Sequence, residues 1–91
     1  MSIKLDDFIK KQGLSGVVSI SHDWREEAGG YQNEHLTEEI VCRTKAGKHR
    51  YMKIYWYMRT MGATDRSVLE DRVITKEEYE AFRKKHGPYK G

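Results

Sequence analysis

The stretch that decides the fold is residues 37–59, TEEIVCRTKAGKHRYMKIYWYMR. Apolar and polar side chains alternate strictly through its second half, which is the period-two pattern of a half-buried β-strand. Residues 45–47 between the two halves fit a three-residue hairpin turn in which Gly47 takes a positive φ. This turn sets a register that pairs Ile40 with Met52. We therefore predict an antiparallel hairpin with two chemically different faces.

One face of the predicted hairpin is apolar and the other is basic and aromatic. The apolar face is formed by Ile40, Cys42, Met52, Ile54, Trp56 and Met58. The opposite face is the predicted binding surface, with cations to neutralise phosphates and aromatic rings to stack on unpaired bases. It comprises eight residues from both strands and the turn: Arg43, Lys45, Lys48, Tyr51, Lys53, Tyr55, Tyr57 and Arg59.

Two other interpretations of this surface stay open. Tyr and Arg also anchor protein interfaces, so the same eight residues suit a protein partner. Tyr is in addition a favoured strand residue, and a helix that covered the surface would turn the tyrosines into core. The exposure of the face in the folded chain discriminates between binding and packing.

The sequence before the hairpin predicts a helix and a strand. The first element is predicted to be a short helix with Ser2 as its N-cap and Gly13 as the residue after its end. Residues 16–26 are predicted to form a strand, and the face that holds its larger apolar groups is expected to lie against the core. This face carries Val18, Ile20, His22 and Trp24. Residues 26–34 are polar, contain Gly29-Gly30 and are expected to form a loop.

The sequence after the hairpin predicts a short fourth strand over residues 68–74 and a C-terminal helix. Thr75 and Glu78 have the spacing of a capping box, and Gly87 followed by Pro88 ends the helix. The chain is therefore expected to be α+β, with a small antiparallel sheet of three to four strands and the order α-β-β-β-(β)-α. Both helices are expected on the apolar face of the sheet.

Length and composition limit the class of protein. The 91 residues suit one domain, 1–91, that ends in a short basic tail at 88–91. One cysteine excludes a disulfide framework and favours a reducing, cytoplasmic setting, with Cys42 a small buried side chain. No apolar run is long enough to span a membrane and no signal-peptide core is present, so no membrane partner is expected.

Charge is distributed unevenly along the chain. Residues 23–39 carry six acids and one base, whereas residues 43–59 carry six bases and no acid. Such separation favours oriented encounter with a charged partner. The alternative is that the two blocks neutralise each other across neighbouring strands.

Residues for catalysis or metal binding form no recognised pattern. The four histidines lack metal-ligand spacing, and His22 and Asp23 are expected on opposite faces of a strand. We therefore predict a protein that is not an enzyme and has no catalytic residues, metal or cofactor.

The sequence favours a small nucleic-acid-binding protein, with single-stranded and duplex ligands both open. The alternative is a protein-binding accessory or inhibitor, encoded by a phage or mobile element, that docks on a nucleic-acid-processing enzyme. A homodimer is compatible with either, because the acidic and basic blocks can complement each other across a two-fold axis.

Overall fold

A computed structural model describes residues 3–26, 33–59 and 64–87. Within these ranges the chain forms six elements: α1 (Ile3–Gln12), β1 (Ser15–Glu26), β2 (Glu34–Arg43), β3 (His49–Met58), β4 (Asp65–Ile74) and α2 (Lys76–His86). The strands make one antiparallel sheet in the order β1-β2-β3-β4. This confirms the predicted α+β class, with the fourth strand present. Neither described helix is long and apolar enough to cross a membrane.

Several predicted features lie outside the described residues. They are the Ser2 cap, most of the loop at 26–34, part of the connection before β4, and the basic tail at 88–91.

The central hairpin, β2 and β3, has the predicted register. Ile40 pairs with Met52 and Glu38 with Ile54. The turn closes with a hydrogen bond of 2.8 Å from the Thr44 amide to the Lys48 carbonyl, and Gly47 has a φ of 82°. The predicted division of the hairpin into two faces is therefore confirmed.

The two helices pack on opposite faces of the sheet, which corrects the expectation that both cover the apolar face. Leu5 and Phe8 of α1 are buried against that face, in a cluster that includes Met52, Ile54 and Trp56. The second helix lies on the other face. Its buried Tyr79 packs in a separate cluster with Val18, Val41 and Ile74. Each face of the sheet thus has its own small core.

The faces of β1 differ from the prediction. Val18 pairs with Val41 and Ser19 with Ile40, so Val18 lies on the α2 side and Ser19 on the α1 side. Trp24, expected in the core, is 57% exposed. The prediction was wrong because it assumed a single buried face. A strand buried at one end on both faces has no single inward set of side chains.

The helix ends that the structure describes follow the predicted chemistry, including the end of α2, where the Gly87 amide donates to the Arg83 carbonyl at 2.8 Å. In α1, the Leu14 amide donates to the Ile9 carbonyl at 3.1 Å, beyond Gly13 with its φ of 65°. In α2, Thr75 and Glu78 form the reciprocal capping box. These bonds satisfy backbone groups that the helices leave without partners.

Candidate nucleic-acid interface

The second helix divides the predicted binding surface into two parts. Tyr79 lies over the ends of the strands next to the hairpin turn, with its ring centroid 4.8 Å from that of His49. Farther from the turn, the face carries half-buried side chains that we call the aromatic half-face: His35, Lys53, Tyr55 and Tyr57. At the turn lies a group that we call the basic end: Arg43, Lys45, Lys48 and Arg83.

Tyr51 lies at the boundary and its polar and aromatic groups are occupied. Its ring packs against the α2 cluster, and the Arg72 guanidinium lies 4.8 Å from the ring centroid. Its hydroxyl donates a hydrogen bond to Glu39. Burial, together with the adjacent carboxylate, holds the pKa of Tyr51 well above its usual value. Among the eight predicted site residues, Tyr51 is therefore placed to hold α2 and the sheet together.

The aromatic half-face is a row of rings packed against one another. His35 stacks on Tyr57 with centroids 4.7 Å apart and an interplanar angle of 11°, and its centroid lies 5.9 Å from that of Tyr55. The Arg59 guanidinium lies 5.0 Å from the Tyr57 centroid. Asn33 donates to the Tyr57 hydroxyl at 3.1 Å. Stacking partners within the protein thus occupy ring surface that a base would need.

Sequence reasoning missed His35. The signal was present, because the register that pairs Ile40 with Met52 also pairs His35 with Tyr57 when it is extended by five residues. The prediction began the strand at Thr37, whereas β2 begins at Glu34.

Cations on β3 and directly after it have carboxylate neighbours, and most of these carboxylates come from β4. Arg59 pairs with Asp65 at 2.6 Å, and Arg50 pairs with Asp71. Lys53 stands in register between Glu39 and Glu70. The cations of β3 are therefore neutralised by carboxylates on neighbouring strands. The acidic stretch 23–39 supplies only some of these carboxylates.

Cations of the basic end are different. Arg43 and Arg83 line a cleft of about 330 Å³ together with Tyr79 and Gly16. The Lys45 side chain lies against Gly13, at the C-terminal end of α1 where the helix dipole favours a cation. Among the described residues, no ion pair involves any of the four cations of the basic end.

Arg83 was not among the predicted site residues. The relevant signal was the basic run that it begins, since Lys84 and Lys85 follow it at the end of α2. The sequence could not predict the path of α2 across the sheet, which places Arg83 at the same cleft as Arg43.

His22 and Asp23 are in contact, which corrects the prediction that they point apart. His22 Nδ1 lies 3.1 Å from Asp23 Oδ2, and His22 Nε2 lies 3.0 Å from Glu39 Oε2. Asp23 has a φ of 57° at an irregularity in β1, and this turns its side chain back toward His22. In the described ranges, no three His, Cys, Asp or Glu side chains are placed to hold a metal ion.

Two titratable groups are buried under α1. Cys42 is fully buried, and burial raises the pKa of its thiol to about 11, which suits a packing role. Glu38 is also fully buried, with Ser21 donating to one carboxylate oxygen at 3.5 Å. Burial raises the pKa of Glu38 as well.

Comparison with protein-family models, curated proteins and solved structures returned no match.

Proposed function

We propose that this protein binds nucleic acid, chiefly through phosphate contacts at the basic end. The observation that carries the proposal is the set of four cations from β2, the turn and α2 that have no carboxylate partner among the described residues. Cations without carboxylate partners attract phosphates and release the counterions condensed on the nucleic acid. Such contacts are independent of base sequence.

The shape of the basic end supports phosphate contacts. Arg43 and Arg83 flank a cleft, so two planar guanidinium groups border one space. Guanidinium groups match phosphate oxygens in a bidentate arrangement. Lys48 in the adjacent turn adds a further exposed cation.

The aromatic half-face contributes less to this proposal. Thr37, which pairs with Tyr55, is six residues from Arg43 along β2, a span of roughly 20 Å. On the same face between these two positions, Val41 is buried in the cluster with Tyr79 of α2, so a strand bound at the basic end does not run along β2 onto the tyrosines. Because α2 lies between the two groups and Tyr57 is already stacked on His35, base stacking is secondary to contacts with the nucleic-acid backbone.

The test is a titration of labelled duplex and single-stranded oligonucleotides at several salt concentrations. Four phosphate contacts predict that log K falls with log salt with a slope of about −3.6 for a duplex. Replacing two cations, with Arg43→Ala and Arg83→Ala, should reduce the magnitude of the slope by about 2. Arg25→Ala and Lys76→Ala remove two exposed cations elsewhere and serve as the matched control. Absence of binding at low salt, or an affinity indifferent to salt, would contradict the proposal.

A second candidate function is docking on a nucleic-acid-processing protein. It is favoured by the mixed charge of the aromatic half-face, where Lys53 lies between Glu39 and Glu70, and by the exposed indole of Trp24. Aromatic residues and arginine are enriched at protein interfaces. Under this alternative, affinity capture in the presence of nuclease retains one stoichiometric partner, and Tyr55→Ala releases it.

Both candidates place the protein in a reducing cytoplasm. Cys42 supports that setting, because it is buried as a free thiol and free thiols are typical of proteins in a reducing compartment.

A further inference from the structure

β4 is an outer strand of the four-stranded sheet. No described residue pairs with its outer side, and nine of its ten residues are exposed. Three of the exposed residues are large and apolar: Val68 (47%), Leu69 (58%) and Val73 (65%). The strand contains neither lysine nor proline, two residues that commonly block pairing at sheet edges. Such an edge is a template for another strand.

The sequence of β4 is complementary to itself in an antiparallel alignment. Residues 65–72 read DRSVLEDR. When two copies are paired about the centre of this segment, Asp65 faces Arg72 and Arg66 faces Asp71. Inside these pairs, Ser67 faces Glu70 and Val68 faces Leu69. Each dimer therefore contains four opposed charge pairs of opposite sign and an apolar centre, with no like charges opposed.

The bulge in β4 makes this alignment stereochemically consistent. Opposed residues in an antiparallel pair lie on the same face of the sheet, and residues 65 and 72 of a regular strand would lie on opposite faces. Glu70 pairs with Lys53 and Val68 with Ile54, so Leu69 is an extra residue. The extra residue shifts the alternation by one.

Because of the bulge, the two residues of each charge pair lie on the same face of the sheet. Asp65 and Arg72 are in register with Tyr57 and Tyr51, on the α2 side of the sheet. The other pair shares the α1 side, since Arg66 lies over the Phe8 ring of α1. Asp71, opposite Met52, lies on that same side.

Other alignments of the two strands are poorer. A slip toward the start of the strand opposes Asp65 to Glu70, which carry like charges. A larger slip in the other direction opposes Glu70 to Asp71, which carry like charges and lie on opposite faces of the sheet. The remaining slip opposes Arg66 to Val73 and Asp71 to Val68. Like charges directly opposed across a sheet are destabilising, whereas opposite charges stabilise the pair.

We propose that two copies of this chain associate through their β4 edges, with Asp65 of each copy opposite Arg72 of the other, to form a continuous eight-stranded antiparallel sheet. Within each copy, Asp65 pairs with Arg59, Asp71 with Arg50, and Arg72 with Glu70 and Glu78. The interchain pairs then extend these intrachain pairs into alternating charge networks. This assembly does not depend on the proposed nucleic-acid binding.

Sedimentation equilibrium of the nuclease-treated full chain tests the proposal. The weight-average mass of the parent protein should rise with concentration from 10.7 kDa toward twice that value. Asp65→Arg and Arg72→Asp each create two like-charge oppositions per dimer, and each should raise the dissociation constant at least about tenfold. Glu80→Arg on α2 makes the same change in net charge as Asp65→Arg and should leave the constant unchanged.

Mixing the two single variants provides the decisive measurement. Neither variant should associate with itself, but in a 1:1 mixture every opposed pair has opposite signs, so the heterodimer should form. The double variant Asp65→Arg/Arg72→Asp should likewise recover self-association. Three results would overturn the proposal. The parent protein could stay monomeric at all concentrations, the single variants could dimerise as well as the parent, or the 1:1 mixture could fail to associate. Circular dichroism of each variant verifies that it is folded.

Discussion

The hydroxyl of Tyr79 in α2 donates a hydrogen bond to the backbone carbonyl of Gly16 in β1, a residue 63 positions earlier in the chain. The Tyr79 ring is buried between the helix and the sheet. Gly16 has a φ of 56°, and a Cβ at this position would lie 2.6 Å from the Tyr79 hydroxyl oxygen and 2.8 Å from Arg43 Nη2. This contact therefore requires glycine at position 16. It joins α2 to the start of β1 at the basic end.

Removing Tyr79 should destabilise the protein in two separable steps. Tyr79→Phe loses the hydrogen bond to Gly16 and should lower the free energy of unfolding by about 1 kcal/mol. Tyr79→Ala also removes the ring from the core cluster on the α2 side and should lower the free energy of unfolding by about 3–5 kcal/mol. Urea unfolding followed by circular dichroism measures both, with Glu80→Ala as an exposed neighbour that should have little effect. Equal stability of the Tyr79→Ala variant and the parent would contradict the assigned role of this residue.

Glu38→Gln should stabilise the protein at neutral pH. Burial raises the pKa of Glu38 in the folded state, so the ionised carboxylate is unfavourable there. As pH falls from neutral through the folded pKa toward the unfolded value, the parent protein gains stability by taking up a proton that the variant lacks. A gain of about 1 kcal/mol raises the melting temperature of a domain this size by roughly 4–8 °C.

Thermal melts of both proteins at pH 7 and near pH 5 check the prediction for Glu38. The advantage of the variant should be largest at pH 7 and smaller at the lower pH. A variant that is less stable by the same amount at both values would show that the carboxylate stabilises the fold.

Tyr51→Phe should change how stability depends on alkaline pH. The pKa of Tyr51 is raised by burial and by its hydrogen bond to Glu39, so folding favours the neutral phenol. The resulting stabilisation is complete below the unfolded pKa of about 10 and is lost as pH rises through the folded value. The variant should be less stable by about 1 kcal/mol at pH 7 and should lose less stability above pH 10.

Urea unfolding at a series of pH values between 7 and 11 measures this difference. Glu39→Gln keeps a hydrogen-bond acceptor but removes the charge, and it should give an intermediate dependence. Parallel curves for the parent and for Tyr51→Phe would show that Tyr51 ionises equally in both states.

Tyr57→Leu should have little effect on nucleic-acid affinity. The Tyr57 ring is stacked on His35 and has Arg59 beside it, so it has little surface to offer a base. We expect a loss of less than about threefold for single strands, whereas removal of a true stacking platform costs roughly 1–3 kcal/mol per base. Fluorescence titration with a single-stranded oligonucleotide distinguishes these outcomes. A loss of tenfold or more would assign base stacking to Tyr57.

Local sequence patterns predicted the hairpin and the helix ends that the structure describes. The alternation around Met52 and the glycine in the turn involve residues that are close in sequence, and together they determine the register of β2 and β3. The capping box of Thr75 and Glu78 is equally local. The eight predicted site residues, in contrast, lay on the same face but proved to have different neighbours. Tyr51 joins the second core, whereas Arg43 remains without an ion-pair partner among the described residues.

By itself, the sequence determined the α+β class, the order of the elements and the two faces of the hairpin, because side-chain periodicity and turn chemistry act over a few residues. Only the tertiary structure decided which face each helix covers and which cations remain without ion-pair partners in the described part of the chain. Those outcomes depend on contacts between residues far apart, such as Tyr79 with Gly16 and Arg50 with Asp71. The free energy of such contacts depends on packing and on charge neighbours, which a local pattern does not contain.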